Sequence, residues 1–150
     1  MTRANARELA VHLIYAREFT DDEPQMVIAT RLEKEYYGKL AEESPVYEDR
    51  PSSAQRAYID SVVIGVANRV DELNENISRL SVGWDISRIS KLTRTVLQLA
   101  MFEILYVKDV PAGVAISEAV RIVKMYDGND AGSFVNGILG TFVRNLPAEE

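Results

Sequence analysis

Residues 110–143 read VPAGVAISEAVRIVKMYDGNDAGSFVNGILGTFV, and this stretch decides the fold. Its apolar residues recur every three or four positions on both sides of a polar break at residues 127–130. That spacing places them along one buried face of a helix. The stretch therefore predicts two helices joined by a Gly/Asp turn, with Pro111 opening the first and Gly128 ending it.

Helical periodicity extends over the rest of the chain, and no segment alternates as a strand does. The predicted segments are a helix from a Thr2 cap to about Phe19, a weak charged helix over 24–43, a loop over 44–53, a helix from a Ser53 cap with a bend near Asn74 and Asn76, and a buried central helix from a Ser87 cap to about Lys108. Trp84 is predicted to pack over the break before that last helix. The predicted class is all-α, a compact domain of about six or seven helices.

Composition indicates one domain with its own core, because the chain has 150 residues and 47% apolar content. Cysteine is absent, which excludes disulfides, thiolate zinc sites and cysteine nucleophiles. Glu8 and His12 interrupt the apolar segment that a signal peptide would need. No stretch approaches the roughly 20 apolar residues of a membrane span. We therefore expect a cytoplasmic protein.

The formal net charge is −6, which by itself argues against a nucleic-acid partner, since phosphate contacts need Lys and Arg. The charge is unevenly placed, however. Residues 18–49 hold ten acidic side chains against three basic ones, whereas residues 1–17 and 86–108 carry a basic excess. Local basic faces on an acidic protein are therefore expected.

The single histidine, His12, lies one helical turn after Glu8. On one face the two side chains would form an acid/base pair or two metal ligands. One His and one Glu are too few for a usual metal site. A partly exposed polar residue is the simpler interpretation, and a site completed by carboxylates elsewhere in the fold stays open.

Four glycines near the C-terminus resemble a phosphate cradle in composition only: Gly128, Gly132, Gly137 and Gly140. They match neither the dinucleotide-binding nor the P-loop spacing, and no strand precedes them. The favoured interpretation makes Gly128 a helix cap, and Gly137 and Gly140 points of close helix–helix contact. No catalytic constellation is indicated, so we expect a non-enzymatic protein without a metal or cofactor.

The first helix carries the best signal for a nucleic-acid partner. Arg3 and Arg7 lie one turn apart near its N-terminus, where free N–H groups also favour phosphate. Tyr15 follows two turns after Arg7, and an aromatic ring beside arginines stacks on unpaired bases. A solvated face is the competing interpretation for the arginines, both placed mostly off the buried face. Phe134 is most simply core.

Four blocks of sequence, in order and over nearly the whole chain, resemble the NusB transcription antitermination family. The blocks are residues 6–15 (ARELAVHLIY), 96–103 (VLQLAMFE), 110–120 (VPAGVAISEAV) and 134–139 (FVNGIL). They resemble the family patterns A-R-E-x-A-x-x-x-L-Y, I-L-R-x-A-x-Y-E, I-P-x-x-V-x-I-N-E-A-V and F-V-N-G-V-L. Each block alone is unspecific, but the four together are specific.

The resemblance implies two packed helical subdomains, about 1–82 and 83–150, and a non-enzymatic RNA-binding factor. Family members pair with the ribosomal protein NusE. The pair binds the boxA element of nascent transcripts as single-stranded RNA. With NusA and NusG it keeps RNA polymerase from terminating and aids ribosomal RNA synthesis. Both monomers and homodimers occur in the family.

The resemblance also implies site residues. Arg3 and Arg7 match the arginine-rich RNA motif at the family's N-terminus, and Tyr15 matches a tyrosine on its RNA-binding surface. Ser133 and Phe134 match a second RNA-contacting patch. These two groups are expected to lie side by side.

Two acidic positions carry over as well. Asp130 matches an acidic position of the same loop that is linked to antitermination. Glu118 falls in the I-N-E-A segment. Its role there is either structural, in packing or capping, or a contact with a partner.

At several positions this chain lacks a basic residue that the family pattern often has. Ala4 and Asn5 occupy positions that are often basic, Ser133 replaces a frequent lysine, Ser117 replaces asparagine and Gln98 replaces arginine. Fewer cations imply weaker RNA binding and a shallower salt dependence. A protein-interaction module with weak or lost RNA binding is therefore the alternative. NusB-like domains also precede some RNA cytosine methyltransferases, but this chain has neither a cysteine nor a cofactor-binding strand pattern.

Overall fold

The computed structural model describes residues 1–84 and 89–147, except for the side chain of Glu35. All regular structure in these residues is helical, which confirms the all-α prediction. The elements are α1 (Arg3–Arg17), α2 (Pro24–Arg31), α3 (Lys34–Leu40), a 3-10 helix (Pro45–Tyr47), α4 (Ser53–Asn68), α5 (Val70–Leu80), α6 (Lys91–Tyr106), α7 (Ala112–Asp127) and α8 (Asn129–Arg144). None of these helices is long and apolar enough to cross a membrane.

The described residues hold eight α-helices rather than six or seven, because two predicted helices are each divided. The charged segment 24–43 breaks at Leu32, where ψ is 3°. The long helix breaks at Arg69, with φ −122° and ψ 18°. The bend predicted near Asn74 and Asn76 is wrong, since both lie inside α5. The amide of Asn76 instead donates to a backbone oxygen one turn earlier, which a helix accommodates.

Polar caps begin three of the helices, although not always at the predicted residue. The Thr2 hydroxyl accepts an N–H from the first turn of α1 at 3.1 Å, as predicted. For α4 the capping hydroxyl belongs to Ser52, one residue before the predicted Ser53. The predicted Ser87 cap lies outside the described residues. The observed cap of α6 is Ser90, whose hydroxyl accepts an N–H at 2.9 Å.

The chain divides into two compact units, Met1–Asn68 and Arg69–Glu150. This division falls earlier than the boundary expected near residue 82. The loop at residues 44–53 lies within the first unit and does not separate the two units. The helix break at Arg69 explains where the two units divide, because α4 ends just before this residue and α5 begins just after it.

The first unit is built on the contact of α1 with α4, and α2 packs against both. The buried side of α1 follows the predicted apolar face, with Ala6, Leu9, Ala10, Leu13 and Ile14 all buried. Helix α3 and the 3-10 helix contact each other; α2 contacts the former and α1 the latter. The acidic segment 18–49 thus contributes apolar side chains to this core, including Val27, Ile28 and Tyr37.

In the second unit α6 is the central helix, in contact with α5, α7 and α8. Residues 95–103 of α6 are all buried, the predicted apolar positions together with the polar Thr95, Gln98 and Glu103. Gln98 interrupts that pattern, and its buried amide is paired because it donates to Oδ1 of Asn74 at 2.8 Å. Helices α7 and α8 pack closely along each other, so the stretch quoted first forms a helical hairpin.

The turn of that hairpin is a single residue, Gly128, with φ +92° and ψ −179°. This backbone conformation is open essentially to glycine alone. Close helix packing, however, occurs at Gly132, where an added Cβ would lie 2.6 Å from the Lys124 side chain. The prediction of close contacts at Gly137 and Gly140 is wrong, because an added Cβ would meet nothing at Gly137 and only Arg144 of its own helix at Gly140.

Candidate nucleic-acid interface

Arg3 is the exposed cation of the first unit's candidate surface, and two residues of α4 hold its guanidinium. Its Nε donates to Oε1 of Gln55 at 2.9 Å. Its guanidinium carbon lies 4.2 Å from the centre of the Tyr58 ring, a cation–π distance. The first turn of α1 contains no acidic side chain. Arg3 therefore adds a fixed positive charge to a helix end that is already positive.

Arg7 does not lie off the buried face, contrary to the prediction for it. Only 5% of the residue is exposed. Its guanidinium carbon lies 5.8 Å from the centre of the same Tyr58 ring that Arg3 covers. The Tyr58 ring is one contact of this buried guanidinium, which keeps part of its stabilisation on an aromatic face. The residue spacing alone did not indicate this.

Tyr15 lies near the C-terminal end of α1, half-buried, and its ring meets Phe19 edge-on with centroids 5.1 Å apart. Phe19 is 60% exposed. An exposed ring held by a second ring offers a flat apolar surface of the kind on which bases stack. Phe19 was not among the predicted site residues. Its signal in the sequence was an aromatic residue one turn after Tyr15.

His12 belongs to a part-buried aromatic cluster in the first unit. Its Nδ1 lies 2.9 Å from the Tyr47 hydroxyl. Burial lowers the pKa of His12, Glu8 opposes that shift, and Arg31 adds to it. Burial also raises the pKa of Tyr47 to about 12, so that its hydroxyl stays protonated. Among the described residues, no group of three or more acidic or histidine side chains is placed to hold a metal ion.

Acidification should destabilise the protein through His12. Because burial lowers its pKa below the ordinary 6.5, the unfolded chain takes up the proton first as the pH falls. The contribution of neutral His12 is full above about pH 6.5 and decreases as the pH falls towards the folded-state pKa. Urea unfolding at pH 7.5 and at about pH 5 should show wild type losing more stability than His12→Gln. An equal loss in both proteins would contradict the assignment.

Phe134 and Ser133 lie in the second unit, on the first turns of α8. Phe134 is buried, with 7% exposure, which confirms the core interpretation. Its ring meets Trp84 edge-on at a centroid distance of 4.9 Å. Trp84 itself is 52% exposed, so it covers Phe134 and still presents indole surface. Ser133 is exposed beside them. Trp84 therefore packs at this break as expected, and its partner there is Phe134.

A cleft of about 680 Å³ opens beside this aromatic pair. Its described lining is Gly83, Trp84, Ile89, Ser90, Thr93, Asp127, Asp130, Ala131, Ser133 and Phe134. Two carboxylates and no Lys or Arg appear in that lining. The cleft therefore disfavours a phosphate group and accommodates polar or apolar groups without negative charge.

Asp127 joins α7 to the start of α6. The hydroxyls of Ser90 and Thr93 donate to the same carboxylate oxygen, at 2.5 and 2.6 Å. Ser90 caps α6 at the same time, so one carboxylate helps to fix the cap. Asp130, by contrast, is exposed and lies in the first turn of α8, where a negative charge is favourable. Asp127 is thus a structural residue that the motif comparison did not indicate.

Glu118 lies on α7 and makes a two-pronged ion pair with Arg121, at 3.0 Å to Nε and 2.8 Å to Nη2. The pair is within one helix and partly exposed. Pairs three or four residues apart stabilise a helix by only about 0.2–0.5 kcal/mol. Both a packing role and a partner contact are compatible with this geometry.

The candidate residues fall into two groups, one in each unit. Arg3, Arg7 and Tyr15 belong to the first unit, and Ser133, Phe134 and Asp130 belong to the second. The expectation that the two groups form one continuous surface stays a prediction. The structure adds Gln55, Tyr58, Phe19 and Trp84 to the candidate residues. Gln55, Tyr58 and Trp84 contact distant parts of the chain, whereas Phe19 contacts Tyr15 one turn earlier.

The described residues form an all-α protein, and its two candidate surfaces carry an exposed guanidinium and exposed aromatic rings. The sequence profile of the NusB family matches residues 4–144. The chain belongs to the NusB family, as the four sequence blocks predicted.

Two relatives support this assignment over nearly the full length. The transcription antitermination protein NusB of Acetivibrio thermocellus is 38% identical over 144 residues, covering 96% of this chain and 90% of the relative. That of Ruminiclostridium cellulolyticum is 36% identical over 152 residues, covering 99% and 94%. These relatives are transcription antitermination factors rather than enzymes, which agrees with the prediction of a non-enzymatic protein.

Solved structures share the fold. NusB of T. maritima superposes with a TM-score of 0.78 at 26% identity, covering 97% of this chain and 92% of that one. A chain from the crystal structure of the antitermination factors NusB and NusE in complex with double-stranded RNA gives a TM-score of 0.71 at 22% identity, covering 96% and 97%. The NusB-like all-α fold is therefore established for this chain.

Proposed function

We propose that this chain is an antitermination factor that binds boxA-like single-stranded RNA together with NusE and supports ribosomal RNA transcription. The observation that carries the proposal is family membership over residues 4–144. The RNA-bound assembly of NusB and NusE named above supports the choice of partners. NusA, NusG and RNA polymerase complete the proposed assembly in the cytoplasm, and a homodimer is the alternative state of the free protein.

The proposed RNA contacts differ in kind. Arg3 contacts phosphate, because it is an exposed guanidinium at a helix N-terminus. Tyr15 stacks on a base. Arg7 is itself buried and supports the same surface through its contact with the Tyr58 ring.

In the second unit, Ser133 and the edge of Phe134 contact RNA, and Asp130 beside them tunes antitermination. Ser133 and Asp130 are exposed, whereas Phe134 is buried against Trp84. Glu118 is proposed as a structural or partner-facing residue of α7, paired with Arg121.

The decisive measurement is RNA binding by the purified protein with and without NusE. We expect tighter binding to a boxA RNA than to its scrambled sequence, and a further gain when NusE is added. Tyr15→Ala should weaken boxA binding by about 1–3 kcal/mol through lost stacking. Tyr36→Ala removes a partly exposed tyrosine outside the proposed contacts and serves as the control. Equal, negligible affinity for both RNAs under both conditions would exclude the proposal.

A protein-interaction module of the same fold is the second candidate. It is favoured by the net charge of −6 and by a described cleft lining without a cation. This candidate requires NusE association without any gain in RNA affinity. Titration of NusE in the absence and presence of boxA RNA separates the two, because thermodynamic coupling must appear in both directions if RNA and NusE bind cooperatively.

A further inference from the structure

We propose that Gln55 and Tyr58 are positioning residues that hold the Arg3 guanidinium ready for an RNA phosphate. The inference rests on the proposed RNA-binding function and assigns two residues of α4 to it. Neither residue contacts phosphate itself. Their role is to fix the orientation of the one cation that the first helix exposes at its N-terminus.

The contacts define the orientation from two directions. Gln55 accepts from Nε at 2.9 Å, which fixes the inner edge of the guanidinium. The Tyr58 ring lies 4.2 Å from the guanidinium carbon and supports its flat face. Within residues 1–84 and 89–147, Nε is the only guanidinium nitrogen of Arg3 with a hydrogen-bond partner. The two Nη groups can therefore donate to a phosphate, which accepts such donors in pairs.

Burial makes the support rigid. Tyr58 is 6% exposed, so its ring is held by the core of the first unit. Arg7 approaches the same ring at 5.8 Å, which adds a second guanidinium beside it. A flexible arginine loses side-chain entropy when it binds, whereas one already held in place loses less. This arrangement compensates in part for the cations missing at Ala4 and Asn5, positions that are often basic in the family pattern.

The first experiment measures binding of a short boxA single-stranded RNA over a range of salt concentrations, with NusE present. Arg3→Ala should lower the slope of log affinity against log salt by about 0.7, the value of one single-strand phosphate contact. Gln55→Ala should weaken binding about two- to tenfold while leaving the slope unchanged, because the charge remains but its orientation is lost. Ser61→Ala, an exposed change on the same helix, should have no effect.

The double variant supplies the decisive comparison. In the Arg3→Ala background, Gln55→Ala should have no further effect, since there is no guanidinium left to position. Additive effects would mean that Gln55 contacts RNA directly. They would overturn the positioning role of Gln55 but leave the proposed RNA-binding function standing. If wild type binds no RNA, the proposed function fails, and the role of Gln55 fails with it.

A second readout needs no RNA. The Nε–H resonance of Arg3 should be distinct and slow to exchange in the free protein, because it donates to Gln55 above an aromatic ring. Gln55→Ala should return it to the position and exchange rate of a solvated arginine. Tyr58→Phe, which keeps the ring face, should preserve its ring-current shift. An Arg3 resonance already typical of solvated arginine in wild type would contradict positioning.

Discussion

Alanine at Phe134 is expected to lower the free energy of unfolding by about 3–5 kcal/mol, the usual cost of truncating a buried phenylalanine. The residue is 7% exposed on the first turns of α8, so nearly the whole ring lies in the core. Its edge-on contact with Trp84 adds a specific aromatic term of about 0.5–1.5 kcal/mol to the loss. Urea unfolding followed by circular dichroism measures the change.

Ser133→Ala is the matched control, because it alters the adjacent exposed residue. Its effect should stay within about 0.5 kcal/mol, as is usual for surface positions. A comparably small effect of Phe134→Ala would show that the ring does not contribute to the core. Phe134→Leu should keep much of the apolar volume and lose less stability than alanine does.

The leucine variant also separates the two roles proposed for Phe134. It retains a buried apolar side chain but has no aromatic edge. If the folded leucine variant binds boxA RNA more weakly than wild type, Phe134 contacts RNA. If its affinity equals that of wild type, Phe134 acts only as core support for Trp84, and the proposed contact at Phe134 is wrong.

Gly128→Ala is expected to lower the free energy of unfolding by about 1–3 kcal/mol through backbone strain alone. At φ +92° and ψ −179° the residue occupies a region that side chains with a Cβ rarely adopt. An added Cβ would meet no atom within 4 Å, so a clash does not contribute. The strain falls on the junction of α7 and α8, next to Asp130, and a thermal or urea unfolding curve reports it.

Gly137→Ala makes the same chemical change in the same hairpin with the opposite expected sign. The residue lies in α8, is exposed, and an added Cβ would also meet no atom within 4 Å. Alanine should therefore raise the free energy of unfolding by about 0.5–1 kcal/mol, the helix preference of alanine over glycine. Destabilisation by both changes, or by neither, would contradict the conformational argument for Gly128.

Apolar spacing predicted most of the helices, because burying one face requires side chains three and four residues apart. Helix α1 is the clearest example, as its predicted apolar positions Ala6, Leu9, Ala10, Leu13 and Ile14 are all buried. Helix breaks were harder to predict. Asn74 and Asn76 favour a bend by composition, yet both lie within α5 and the break occurs at Arg69. The Asn74 oxygen accepts from Gln98 of α6, and no local pattern specifies such a contact.

The candidate site residues also divide into those that the sequence indicated and those that only the structure identified. Arg3 and Tyr15 were proposed as contacts from their residue types and spacing near the start of the chain, and their contact with RNA stays a prediction. Burial of Arg7 and the support of Arg3 by Gln55 and Tyr58 depend on α4 packing against α1. Similarly, Asp127 looked like part of a turn, but it accepts hydrogen bonds from Ser90 and Thr93 on α6.

The sequence by itself determined the helical class, the family and the Gly128 turn, since periodicity and backbone restrictions act over a few neighbouring residues. Tertiary structure decided which side chains are available to a partner. It buried Arg7, left Phe19 and Trp84 exposed, and oriented Arg3 on a ring more than fifty residues away in the chain. Exposure and orientation depend on what packs from distant segments, and that information does not lie in local spacing.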